Sequence, residues 1–144
     1  TLRLHEGFAV VDGFFNIIHV RNPGAAFGFL AGASPAFRSV FFIAVTLAAI
    51  LLILHYLWRT LRQTGTGKLS LVFSLSLILA GAVGNLIDRV RFGDVVDFLD
   101  VYVGAYHWPA FNVADASIST GAVVLAIALF VGGKEKTDGT RLEE

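Results

Sequence analysis

The chain has 144 residues, of which 56% are hydrophobic and only 15% charged, with 11 basic residues balancing 11 acidic ones. That apolar excess is unlike an ordinary soluble domain, and no basic patch with interleaved aromatics suggests a nucleic-acid partner. There is no cysteine, which excludes disulfides, thiol catalysis and thiolate metal sites, and the four histidines form no HExxH pair.

In chain order, residues 1–37 read as short strands. In "FAVVDGFFNIIHV" apolar, β-branched and aromatic residues flank a turn at Asp12-Gly13, and "RNPGAAFGFL" bends at Asn22-Pro23-Gly24. They predict a small β-sheet resting on the outer face of a helical bundle. The first long apolar block, Ser39 to Trp58, carries His55, Tyr56 and Trp58 at its far end, where amphipathic rings favour a membrane interface. The linker "RTLRQTGTGK" is basic and has no acid. A second block runs from Leu69 to Ile87 and a third from Ala116 to Val131, with Ala114 and Asp115 in its first turn. Each is near the roughly 20 residues that cross a bilayer. Ser74, Ser76, Gly81, Gly84 and Gly121 would let helix backbones approach closely.

The expected boundaries are a β-segment at 1–37, a transmembrane unit at 38–131 with spans at about 38–58, 69–88 and 114–131, an outer loop at 89–113, and a disordered polar tail at 132–144. Arg59, Arg62 and Lys68, with Lys134 and Lys136, place the first linker and the tail in the cytoplasm by the positive-inside rule. The first 37 residues would then lie outside with nothing apolar enough to carry them there. An upstream transmembrane helix is therefore expected to be missing from this chain.

Polar residues collect at the outer ends of the apolar blocks. "GNLIDR" supplies Asn85, Asp88 and Arg89. "GDVVDFLD" supplies Asp94, Asp97 and Asp100. "FNVADASI" supplies Asn112 and Asp115, and "RNPGAAFG" supplies Asn22. Ionisable groups beside hydrocarbon are costly and mark a functional site. Two nearby carboxyls can divide acid and base roles, one activating water and the other protonating the leaving group. Asp115 opens a helix and is either that acid or a plain first-turn cap. Asp97, between Val96 and Phe98, is either a paired acid or a loop residue facing water. Asp94 and Asp100 read as solvated turn or edge residues, and Asp88 as the ion-pair partner of Arg89. The asparagines could equally satisfy loop backbone, and Arg89 could be an interfacial anchor. Two other classes compete. One is a small transporter or channel; the other is a metal-dependent lipid-phosphate enzyme holding Mg²⁺ on Asp94, Asp97 and Asp100.

The blocks "RNPGAAFG", "GNLIDRV", "GDVVDF" and "FNVADASI", in this order and spacing over roughly residues 14–131, resemble the signature blocks of lipoprotein signal peptidase, the type II signal peptidase of bacteria. The resemblance implies a membrane all-α bundle with a small extracytoplasmic β-cradle, four helices in the family against three here. It implies an aspartyl endopeptidase of the bacterial cytoplasmic (inner) membrane, working at the extracytoplasmic face without metal or other cofactor. Its partners would be the bilayer and the diacylglyceryl-modified prolipoprotein, cut just before the lipidated cysteine, with the cyclic peptide globomycin as inhibitor. By resemblance the catalytic residues are Asp97 and Asp115. Asn22, Gly24, Asn85, Arg89 and Asn112 would line the substrate site, Asp88 would have a supporting role, and the loop 97–111 could serve as a lid.

Overall fold

A computed structural model of the protein describes residues 2–24, 30, 32–62 and 68–141. The N-terminal strands β1 (Gly7–Val11) and β2 (Phe15–Asn22) form a hairpin. Its turn places Gly13 at φ 78°, and the Phe14 N–H closes onto the Val11 carbonyl at 3.1 Å. Helix α1 (Pro35–Arg62) begins where Ser34 Oγ accepts the Phe37 N–H at 3.3 Å and Pro35 occupies the first turn, where its missing N–H costs nothing. Helix α2 (Lys68–Phe92) ends at Gly93, whose φ of 84° lets its N–H return to the Arg89 carbonyl at 2.9 Å. The chain turns at once into β3 (Val95–Val103), which hairpins into the short β4 (Tyr106–His107) before helix α3 (Val113–Arg141). The four strands form one antiparallel sheet in the order β1-β2-β3-β4.

Helix α2 is central and packs on both α1 and α3. Glycines set the closeness of α2 and α3. A methyl group on Gly81 would run into the Ala114 carbonyl and Ile118, and one on Gly121 would sit 2.8 Å from the Ser74 carbonyl oxygen. All three helices are long and apolar enough to cross a membrane, and the span within α1 buries none of its residues inside the protein. Leu51, Val40 and Leu69 are 67%, 67% and 82% exposed, while Ser74, Asn85, Asp97, Asp100 and Asn112 are buried. This is the reverse of a water-soluble fold. It is the arrangement expected where hydrocarbon surrounds the helices and close backbone packing, rather than apolar burial, joins them.

Three boundaries differ from those read in the sequence. The outer stretch 89–113 is not a free loop. The alternation in "VVDFLDVYV" pairs β3 with β2 over Phe15–Asn22, and β4 and the Leu99–Phe111 bridge tie most of residues 97–111 to the same sheet. Helix α1 starts at Pro35, inside the segment assigned to strands. Helix α3 continues to Arg141 across most of the tail expected to be disordered, with no proline to stop it.

The glycine seam gives a direct test. Gly81→Leu forces apart two helices in contact, at a cost of at least about 1–3 kcal/mol, and should lower the melting temperature in detergent micelles. Ser76, expected among the close-packed small residues, lies instead on an exposed face of the same helix, so Ser76→Leu should leave the melting temperature unchanged.

Candidate functional site

The site lies where the sheet meets the ends of α2 and α3. In β3, Asp97 is opposite Val20 of β2, and its side chain is only 2% exposed. Asn22, at the end of β2, donates from Nδ2 to Asp97 Oδ2 at 3.0 Å while its Oδ1 accepts the Gly24 N–H at 2.9 Å. The backbone donor fixes which way the amide faces, so the NH₂ group points at the carboxylate. Gly24 has φ 83°, and a Cβ there would lie 2.5 Å from the Phe42 ring on α1. Its role in the structure is therefore to close the Asn22-Pro23-Gly24 turn against that ring. The rest of the "RNPGAAFG" block, from residue 25 to 28, lies outside the described residues.

Asn112 joins the two acids. Phe111 is stitched to β3: its carbonyl accepts the Phe98 and Leu99 N–H groups and its own N–H returns to the Leu99 carbonyl. That brings the next residue against Asp97, whose Oδ1 accepts Asn112 Nδ2–H at 2.9 Å. Asn112 is also the N-cap of α3. Its Oδ1 accepts the Asp115 N–H at 3.0 Å, and Asp115 Oδ2 accepts the Asn112 N–H at 3.3 Å. This is a reciprocal capping box. The other oxygen of Asp115 accepts Asn85 Nδ2–H at 2.8 Å, and Asn112 Nδ2 also donates to Asn85 Oδ1 at 3.2 Å. Asp97, Asn112, Asn85 and Asp115 thus form one continuous network. Of the two readings open in the sequence, the cap is present, and the second oxygen of Asp115 is joined to the network through Asn85.

Burial pushes the Asp97 carboxyl above the ordinary carboxylate range, and the neighbouring Asp115 charge adds to this. The Asn22 and Asn112 hydrogen bonds and the Arg89 charge pull the other way without cancelling it. Arg89 donates weakly to the Asn85 carbonyl at 3.4 Å, and its guanidinium carbon lies 5.4 Å from the Phe42 ring. A cleft of about 400 Å³ is lined by Asn85, Asp88, Val96 and Asn112, and another of about 450 Å³ by Trp108, Phe111, Asp115 and Ser119.

Two acids behave differently from expectation. Asp88, read as the ion-pair partner of Arg89, instead accepts the Val96 N–H at 3.0 Å, tying the end of α2 to the residue before Asp97. Asp100, read as solvated, is 6% exposed and accepts Asn16 Nδ2–H at 2.8 Å and the His107 ring at 2.8 Å. Burial raises its carboxyl, but the His107 and Asn16 hydrogen bonds and the His107 charge outweigh that and hold it below the ordinary range. Asp97 and Asp100 are therefore committed to separate networks. Among the described residues no three side chains of His, Asp or Glu are grouped to hold a metal ion. Asn16 and His107 escaped the sequence reading, since neither lies in the long apolar blocks or in one of the four motif blocks.

A family profile described as signal peptidase (SPase) II matches residues 1–131. The chain is 57% identical over 134 residues to the lipoprotein signal peptidase of Syntrophus aciditrophicus, covering 93% of this chain and 81% of that one. It is 57% identical over 124 residues to that of Desulforapulum autotrophicum, covering 86% and 74%. Two solved bacterial membrane enzyme structures, obtained by the in meso method, superpose with TM-scores of 0.73 and 0.75 at 35% and 36% identity. They cover 90% and 94% of this chain and 77% of each solved one.

The two jobs of Asn112 can be separated. Asn112→Ser keeps a capping oxygen but loses both buried Nδ2 bonds, so it should lower the melting temperature through those bonds alone and raise the Asp97 pKa further, read by carboxyl NMR in micelles. Asn112→Ala loses the cap as well and should cost about 1 kcal/mol more.

Proposed function

The chain belongs to the signal peptidase II family, and on that premise we propose that it is an aspartyl endopeptidase whose working pair is Asp97 and Asp115. The observation that carries this reading is the Asn112 bridge, which holds both carboxyls in one network at the junction of sheet and membrane-capable helices. In this reading Asp97, buried and pushed up, holds the proton. Asp115, whose oxygens accept N–H groups from Asn85 and Asn112, acts as the base. It takes a proton from a water molecule as the water oxygen bonds to the scissile carbonyl carbon, while Asp97 gives its proton to the carbonyl oxygen. The tetrahedral diol then breaks its C–N bond. The leaving nitrogen takes the proton from Asp115, and a diol hydroxyl returns one to Asp97.

The substrate in this proposal is a diacylglyceryl-modified prolipoprotein, cut on the N-terminal side of its lipidated cysteine. A signal peptide lying beside the helices and acyl chains left in the bilayer would fix the height of the scissile bond, reducing the entropy lost before chemistry. Arg59 and Arg62, in the last turn of α1, lie at the end of the bundle away from the dyad. This charge bias supports an inner-membrane protein with the dyad on the extracytoplasmic side. The amide donors of Asn22, Asn85 and Asn112 already point at the carboxylates or at one another. In this proposal those asparagines, expected to line the substrate site, position the dyad instead, leaving Arg89 and the two flanking clefts to face the peptide. Globomycin would inhibit by occupying the space between the aspartates.

Asp97→Asn and Asp115→Asn should each reduce cleavage of a lipid-modified precursor by at least about 10²-fold while the protein stays folded in detergent. Full activity in either variant removes the two-carboxyl mechanism. The pH profile gives a second check. An acid whose pKa is raised keeps its proton to higher pH, so the rate should fall as pH climbs through a value above the ordinary carboxylate range. In Asn112→Ser, which removes a donor from Asp97, that descending limb should move to still higher pH.

A further inference from the structure

Where α2 ends and the sheet begins, two arginines close on one ring. The guanidinium carbon of Arg21, from β2, lies 4.4 Å from the centroid of Phe92, and that of Arg91, in the last turn of α2, lies 4.9 Å from the same centroid. One cation is attracted to an aromatic ring, but two of the same sign sharing it repel each other. Arg21 Nη1 is buried with no hydrogen-bond partner among the described residues, an unmet demand in a five-donor group. The ion pair among the described residues is that of His107 with Asp100, and neither arginine joins one. An anion accepting from both guanidinium forks would relieve the repulsion.

A cation near a helix C-terminus is ordinary, and that alone would account for Arg91. It does not account for Arg21, which arrives from a strand because the β2–β3 register sets it opposite Val96. The position indicates which anion fits. Phe92 is the last residue of a helix long and apolar enough to span a bilayer, so the pair stands at headgroup level. Planar guanidinium forks match phosphate oxygens in bidentate fashion.

We propose that Arg21 and Arg91, arranged around Phe92, bind the phosphodiester of an anionic phospholipid headgroup. The site is separate from the Asp97–Asp115 network and does not depend on the peptidase reading. Because Arg21 precedes Asn22, a lipid held there also steadies the strand end that reaches Asp97.

The test uses the full chain in detergent micelles, with dioleoyl-phosphatidylglycerol or dioleoyl-phosphatidylcholine added at equal concentration and bound lipid counted by native mass spectrometry. The phosphatidylglycerol adduct should exceed the phosphatidylcholine adduct several-fold. Arg21→Gln with Arg91→Gln should abolish the excess, whereas Lys68→Gln, at the opposite end of α2, should not. The exposed Arg91→Gln alone should lower it, which keeps the test valid if the double variant misfolds. An unchanged ratio in Arg91→Gln overturns the site. Displacement of the lipid by inorganic phosphate in molar excess overturns the lipid assignment in favour of a free anion.

Discussion

A carboxylate that is 2% exposed must be protonated, or must be met by donors that replace water. Asp97 is met by two side-chain amides, and the arrangement of the sheet end of the protein follows from delivering them. Asn22 comes from β2, so the hairpin must pair with β3. Asn112 comes from the cap of α3, so Phe111 must be stitched to Leu99. Asn85 comes from α2, which must lie close enough to α3 for its amide to reach Asp115. The glycine seam at Gly81 and Gly121 permits that approach.

The amides are well suited to the task because each is oriented by a different kind of anchor. Asn22 is set by a turn N–H, Asn112 by the first turn of a helix, and Asn85 by Asn112 itself. An unsatisfied member of such a network in a low-dielectric setting would be costly, and a fully satisfied one is rigid. Such rigidity suits the mechanism proposed above, in which the two acids divide one proton between them. Both carboxyl side chains are held by amide donors in the structure itself.

A second polar knot supports the first from the other end of β3. Asp100 draws together Asn16 of β2 and His107 of β4, and the His107 ring stacks on Tyr102 at 4.7 Å with the planes 6° apart. It thus ties three strands at one point. The sheet register fixed there is also the register that carries Asp97 to its position opposite Val20. With Asp88 holding the Val96 N–H, β3 is secured on either side of the candidate acid.

The three apolar helices, their small-residue contacts and the first hairpin were legible in the sequence, because hydrophobic length and turn chemistry are local properties. So was the list of polar residues gathered at one end, since each lies beside an apolar block where an ionisable group needs a reason to exist. The pairing of 95–107 into the sheet was not legible. A short alternating run next to a helix end does not reveal its partner, and the partner here lies over seventy residues away in the chain. The roles of Asp88 and Asp100 were misread for the same reason: a carboxylate beside an arginine looks ion-paired, and one in a turn-like run looks solvated, until the strand that engages it is known. The sequence by itself determined which residues must avoid hydrocarbon. Tertiary structure alone decided which of them share hydrogen bonds, because that depends on backbone registers and helix approach distances that no local pattern encodes.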